Sequence, residues 1–217
     1  MVSIGIGITT YNRPECLKEC LEHIYKHTFT DNVKIYIATD TDEDRRGVAF
    51  RKNECLRCLK NCDHIFLFDD DCYPIKDGWI EFFIKKMQNI STSHLLYLND
   101  KLHNKTTNHV NDCYVYNNCG GVFMALTKGA ISKVGAFNED FKTYGFEHAE
   151  YSKRVNKAGF CYSPYLCAKK TEQYLYSHDY STLNHKSSIT DEEKQVCIKN
   201  NWDKFFNEPI KSVFLPL

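Results

Sequence analysis

The 217-residue sequence has no surplus of either charge: Lys plus Arg is 28, Asp plus Glu is 28, and the formal net charge is zero. Nucleic acids are met by basic surfaces, so a nucleic-acid partner is not expected. No apolar run approaches the roughly 18–20 residues that cross a bilayer, and no transmembrane segment is expected. The first residues, MVSIGIGITT, carry no positive charge and run into a turn, not a cleavage site, so no signal peptide is read there. Internal repeats and low-complexity linkers are lacking too. The 11 cysteines are odd in number and follow no small-scaffold spacing. That suits buried thiols in a reducing compartment, and the expected location is cytoplasmic.

What is present is ordinary for a globular domain: 42% hydrophobic and 26% charged residues. A chain of this length buries roughly 70% of its unfolded surface and needs no metal or disulfide to fold. One domain over residues 1–217 is expected.

Residues 3–10 alternate and are rich in Ile, predicting a strand that Asn12-Arg13-Pro14 breaks. Cys16, Leu17, Cys20, Leu21 and Ile24 then repeat at helical spacing. Residues 33–39 (VKIYIAT) predict a second strand, 48–59 a second helix, and 64–68 (HIFLF) a third strand. Strand–helix alternation predicts parallel strands with right-handed crossovers, and ligands in such sheets sit at the strands' carboxyl ends. Here those ends are polar, and two are acidic, at Asp40 and Asp69–Asp71. Further on, 79–87, 128–134 and part of 144–159 read as helices, 120–127 as strand-like, and 191–200 as a short helix in a polar tail.

The strongest feature is Ile65-Phe66-Leu67-Phe68-Asp69-Asp70-Asp71. Three adjacent carboxylates repel one another and are costly near a core unless a cation neutralises them. A hard divalent ion with oxygen ligands does so. Asp69 and Asp71 alternate to the same side of an extended chain and can share one site. The plain alternative is a solvated acidic turn.

The segment Ile6-Gly7-Ile8-Thr9-Thr10-Tyr11-Asn12-Arg13-Pro14 resembles the first-strand motif of family 2 nucleotide-sugar glycosyltransferases, and the Asp block resembles their DxD motif. Gly120-Gly121, Gly135-Ala136-Phe137-Asn138-Glu139-Asp140-Phe141 and Tyr144-Gly145-Phe146-Glu147-His148-Ala149-Glu150-Tyr151 resemble the acceptor half of the same enzymes, in register over about residues 3–160. The resemblance implies an α/β GT-A fold, Rossmann-like, with a mostly parallel central sheet and helices on both faces. It implies a nucleotide-sugar half over about 1–100, an acceptor half over 101–177 and a mobile C-terminal tail over 178–217 that could fold over the donor.

It also implies roles for residues. Thr9 and Tyr11 would hold the nucleobase and Asp40 the uridine, with Arg51 and Lys52 near the donor. Asp69 would face the ribose or sugar, Asp70 the ribose, and Asp71 the metal. Gly120 and Gly121 would let the sugar approach the backbone closely. Many relatives carry Glu-Asp where this chain has Glu147-His148; the base that deprotonates the acceptor is expected to be Glu147 first and His148 second, with Glu150 one helical turn on. His178 would complete the metal shell, with His185 a weaker candidate. Cys55, Cys58, Cys62 and His64 resemble a zinc half-site, but the cysteines' spacing also fits the buried face of one helix, the preferred reading.

The implied activity is transfer of a sugar from a nucleotide-diphosphate sugar, a UDP-sugar, to a hydroxyl of a glycan or glycoprotein, with Mn²⁺ or Mg²⁺ and with inversion. The alternatives are a nucleotidyltransferase, whose glycine-rich basic loop after the first strand is missing here, and a non-catalytic binding module on the same fold.

Overall fold

Residues IGIGITTY form β1 (Ile4–Tyr11), buried along its length except at Tyr11. It is the middle of three parallel strands, paired to β2 (Val33–Asp40) on one side and β3 (His64–Asp69) on the other. The connections are α1 (Pro14–His27) and α2 (Val48–Leu59). The chain steps outward from β1 to β2 and then back across to β3. Right-handed crossovers in opposite directions put α1 and α2 on opposite faces of the sheet. The cleft that such a reversal opens lies beyond Tyr11, Asp40 and Asp69. The computed structural model describes residues 2–181, 187–210 and 212–217; His185 lies outside them.

After β3 come β4 (Cys72–Pro74), α3 (Trp79–Asn89) and β5 (His94–Leu96). A hairpin of β6 (Lys105–Val110) and β7 (Cys113–Tyr116) precedes β8 (Phe123–Thr127), α4 (Lys128–Val134) and α5 (Glu147–Lys157). The chain then forms β9 (Leu166–Ala168), β10 (Leu175–Ser177), the single turn α6 (His178–Ser181) and α7 (Asp191–Phe206). The central sheet runs β2-β1-β3-β8-β5, and only β8 is antiparallel to its neighbours. The expected mostly parallel α/β sheet is therefore present. Two small sheets flank it, β6-β7-β9 and β4-β10.

The core explains the packing. Phe66 and Phe68 of β3 meet Trp79 edge-on at 4.9 and 5.5 Å between ring centroids, and Phe123 of β8 completes the cluster. Gly7 is required by close approach: a Cβ there would sit 2.7 Å from Cys55 Cβ on α2 and 2.8 Å from Leu67. Cys55 is thus a packing residue between helix and sheet. Helix α2 ends at Leu59, so Cys62 belongs to the turn that follows and not to the helix face expected from its spacing.

Helix α7 runs six residues past the expected Asn200. Thr190 caps it, its Oγ1 accepting the Glu193 N–H at 3.2 Å. Its Asn201 side chain is buried and donates to the carbonyls of Phe141 (2.8 Å), Tyr144 (2.9 Å) and Gly145 (3.2 Å), and Phe205 stacks on Phe146 at 4.8 Å. These contacts fix the loop that leads into α5. Among the described residues no helix is long and apolar enough to cross a membrane.

Candidate active site

Two cavities meet at the carboxyl ends of the parallel strands. The first is lined by Thr9, Tyr11, Arg13, Asp40, Arg51 and Asp71, with Ser187, Ile189 and Lys194 closing its other side. The second, about 550 Å³, is lined by Gly120, Gly121, Glu147, His148, His103 and Tyr180 among others. Val48, Asp69, Tyr144 and Asp179 border both.

Three consecutive polar residues on α2 are buried and each ties the helix to a different part of the site. Arg51 Nε donates to Asp40 Oδ1 at 3.0 Å, and Asp40 also accepts the backbone N–H groups of Arg46 (2.8 Å) and Gly47 (2.9 Å). Asp40 therefore shapes the β2–α2 loop while lining the cavity. Lys52 Nζ donates to Asp69 Oδ1 (2.8 Å) and to the Gly121 carbonyl (3.2 Å), joining the strand end to the glycine pair. Asn53 donates to the Phe137 carbonyl at 3.0 Å and accepts its N–H at 2.7 Å.

On β1, Thr9 Oγ1 donates to Asp69 Oδ1 at 3.0 Å and Thr10 Oγ1 to Asp70 Oδ2 at 2.6 Å. The Tyr11 hydroxyl donates to Asp42 at 2.7 Å, and the Arg45 guanidinium lies over the Tyr11 ring, 4.7 Å from its centroid. Arg13, the residue before α1, spends its guanidinium on the Asp block: Nη1 donates to Asp71 Oδ2 at 2.7 Å and Nη2 pairs with Asp70. Asp70 is wholly buried, so it supports the cleft from behind and does not reach a ribose as expected. Burial pushes its carboxyl up to about 7 against the opposing pull of Arg13 and Thr10. The first-strand motif contains Arg13 but carries no sign of its pairing with two carboxylates.

The donor set at this end suits a hard divalent ion. Asp69 and Asp71 line the cleft, and among the described residues Arg13 pairs with Asp70 and Asp71 and Lys52 with Asp69. Among the described residues no group of three metal-ligating side chains converges. His178 is brought beside Asp71 by the β10–β4 pairing, its N–H donating to the Asp71 carbonyl at 3.0 Å, but its Nε2 lies 3.0 Å from Glu19.

Across the cleft, Gly145 (φ 96°) and Phe146 (φ 72°) turn the chain so that α5 begins at Glu147. Glu147 and His148 then face the second cavity together, with Glu147 Oε1 2.8 Å from His148 Nδ1. Burial works to raise the Glu147 carboxyl, but the His148 imidazole, the backbone N–H at the helix start and Lys52 together turn the net shift downward. Glu147 Oε2 and His148 Nε2 are buried and have no hydrogen-bond partner among the described residues. Gly121 packs so tightly on the His148 ring that any side chain there would overlap it. Glu150 does not join them. It accepts from Arg154 Nε at 2.7 Å and lines a separate cavity near the C-terminus, so it is no candidate base.

A mixed sheet of this strand order, with an acidic end on the third strand and a glycine pair and acidic helix start facing it, is the GT-A fold, the architecture of nucleotide-sugar glycosyltransferases. No protein-family model matches the sequence. The chain is 27% identical over 192 residues to a protein of Acanthamoeba polyphaga mimivirus named "uncharacterized glycosyltransferase R363", covering 72% of this chain and 74% of that one. It is similar in structure to mannosyltransferase PcManGT from Pyrobaculum calidifontis, solved with GDP-Man and Mn²⁺ (TM-score 0.55, 13% identity, 77% of this chain). It is also similar to Drosophila β-1,4-galactosyltransferase 7, solved with manganese, UDP-Gal and xylobiose (TM-score 0.57, 16% identity, 89% of this chain and 79% of that one). A third is GalNAc-T7, solved with UDP, GalNAc and Mn²⁺ (TM-score 0.61, 11% identity, 94% of this chain). The chain spans 58% of the length of PcManGT and 49% of that of GalNAc-T7.

Proposed function

We propose that the chain is a metal-dependent glycosyltransferase that moves a sugar from a nucleotide-diphosphate sugar, with UDP as nucleotide, to a hydroxyl of a glycan or glycoprotein, with inversion. The observation that carries this is the position of Asp69 at the border of two cavities, one framed by Thr9, Tyr11 and Asp40, the other by Gly120, Gly121, Glu147 and His148. The first suits a nucleoside and the second the sugar being transferred and its acceptor.

Asp71, with Asp69 and His178, would hold the divalent ion. When bound, such an ion neutralises the charge that develops on the departing diphosphate. Tyr11 offers a face to the base, and the glycine pair lets a sugar ring approach the main chain. The acceptor hydroxyl loses its proton to the Glu147–His148 pair. If His148 Nδ1–H donates to the Glu147 carboxylate, Nε2 carries the free lone pair, and the carboxylate stabilises the imidazolium that forms. This geometry favours His148 as proton acceptor with Glu147 as its partner, the reverse of the order expected from sequence. One displacement with the base on the acceptor side inverts the anomeric carbon.

The test is a screen of UDP- and GDP-sugars with Mn²⁺, with and without oligosaccharide acceptors, reading release of nucleoside diphosphate. Metal-dependent release from a UDP-sugar, lost in EDTA, is expected. Release of pyrophosphate instead would mark a nucleotidyltransferase and overturn the proposal.

A further inference from the structure

The polar stretch before β6 carries a histidine to which the sequence drew no attention. His103 is 7% exposed and borders the second cavity. Its position is preset. Asn99 and His103 close a turn in which the His103 N–H donates to the Asn99 carbonyl at 2.9 Å. The Asn99 N–H in turn donates to His103 Nδ1 at 3.0 Å. Tyr180 and Tyr116 meet the ring edge-on, at 5.4 and 6.3 Å between centroids.

That turn holds the ring through Nδ1, which lies 3.0 Å from the Asn99 nitrogen and 3.1 Å from the Asn99 carbonyl oxygen. Nδ1 accepts from that N–H in one tautomer and donates to that carbonyl in the other, and in both Nε2 is the ring nitrogen left for a ligand. Burial lowers the affinity of the ring for a second proton, against a smaller opposing effect of Asn99, so the ring is neutral at pH 7. Nε2 makes no hydrogen bond among the described residues. It abuts Gly120, where a Cβ would lie 2.9 Å from it and 3.0 Å from the Tyr180 hydroxyl. A ring nitrogen fixed in place by the Asn99 turn therefore stands at the rim of the glycine pair, with no hydrogen bond among the described residues.

The same rim is fastened to the donor side of the cleft. Lys52 links the Gly121 carbonyl to Asp69, which borders the nucleotide cavity, and Asp179, next to Tyr180, borders both cavities. A group hydrogen-bonded at Gly120 thus sits beside a glycine pair that Lys52 ties to Asp69 and that packs on the His148 ring through Gly121.

Resting on the nucleotide-sugar assignment above, we propose that His103 is a specificity-determining residue whose Nε2 hydrogen-bonds a hydroxyl group of the transferred sugar. A pre-oriented ring nitrogen in a largely buried position disfavours a sugar that offers no hydroxyl there, because the nitrogen is then left unpaired.

The experiment uses two substitutions that mimic different halves of the ring. His103→Asn places an amide near the Nδ1 position and keeps a partner for the Asn99 N–H, whereas His103→Gln places its amide near Nε2. Binding to the full chain with Mn²⁺ is measured by calorimetry for UDP, UDP-glucose, UDP-galactose, UDP-N-acetylglucosamine, UDP-N-acetylgalactosamine, GDP and GDP-mannose. His103→Asn should leave the affinity for the free nucleoside diphosphate unchanged and weaken the best nucleotide sugar by about tenfold, while His103→Gln stays within about threefold of the wild type. Weakening by Gln but not by Asn would show a purely structural turn-capping role and overturn the proposal. So would a change confined to the KM of the acceptor. If the unaltered chain binds none of these nucleotides, the nucleotide-sugar assignment fails and the proposal with it.

Discussion

Lys52 Nζ lies 2.8 Å from Asp69 Oδ1, with the lysine side chain wholly shut from solvent and the aspartate side chain 23% exposed at the cleft. An ammonium buried this way depends on its one carboxylate and on the Gly121 carbonyl. Asp69→Asn should therefore destabilise the fold by about 2 kcal/mol, less than for a fully buried pair because solvent reaches Asp69. Lys52→Met, which leaves the carboxylate unpaired, should cost a similar amount. The double variant should recover part of the loss, since neither charge is then stranded. Urea midpoints of the four proteins check this; strictly additive losses would show that the pair is not coupled.

His94 supplies a pH dependence. It is fully buried, with Nε2 2.8 Å from Ser152 Oγ and Nδ1 3.3 Å from the Ala125 carbonyl, and burial pushes its imidazole down to about 4. In the unfolded chain the ring titrates near 6.5. As pH falls through 6.5 the unfolded chain takes up the proton first, so stability is lost between about 6.5 and about 4. The loss amounts to about 3 kcal/mol. His94→Asn should be less stable at pH 7 but flatter over that window. Parallel urea-midpoint profiles from pH 7 to 4.5 would show that His94 is not the group responsible.

Asp71 tests the metal. Asp71→Asn keeps the shape of the side chain and removes the charge that a hard cation needs. Mn²⁺ should then no longer strengthen UDP binding, while the chain still folds with a lowered unfolding midpoint, because Arg13 loses one of its two carboxylate partners. Undiminished Mn²⁺-dependent binding in this variant would move the ion elsewhere.

The base is tested by rate and pH together. His148→Asn should lower kcat by about 10²–10⁴ with donor affinity little changed. Glu147→Gln should lower it less, because the imidazole lone pair survives while its partner charge is lost. If Glu147→Gln shows the larger fall and His148→Asn keeps the acidic limb of the pH profile, the carboxylate takes the proton directly.

The three parallel strands were legible because each is an apolar run that stops at polar or acidic residues. The same runs placed Thr9, Tyr11, Asp40, Asp69 and Asp71 on one cleft, where the structure has them. The ribose contact expected of Asp70 came from the resemblance; the alternation that pairs Asp69 with Asp71 points Asp70 the other way, and there it lies buried against Thr10 and Arg13. Glu150 entered as a base because helical spacing groups it with Glu147, yet the αL turn at Phe146 sets the helix phase so that His148 accompanies Glu147 into the cavity. His103 carried no signal at all. Its importance comes from a turn to Asn99 and a neighbour at Gly120, neither of which has a sequence period.

Asn201 and Lys194 stand seven residues apart on α7, two helical turns and about 10 Å along its axis. Lys194 is part of the wall around the first cavity, and Asn201 grips three carbonyls in the stretch before Glu147. One helix thus carries both a wall of the first cavity and the clasp on the turn from which Glu147 and His148 enter the second.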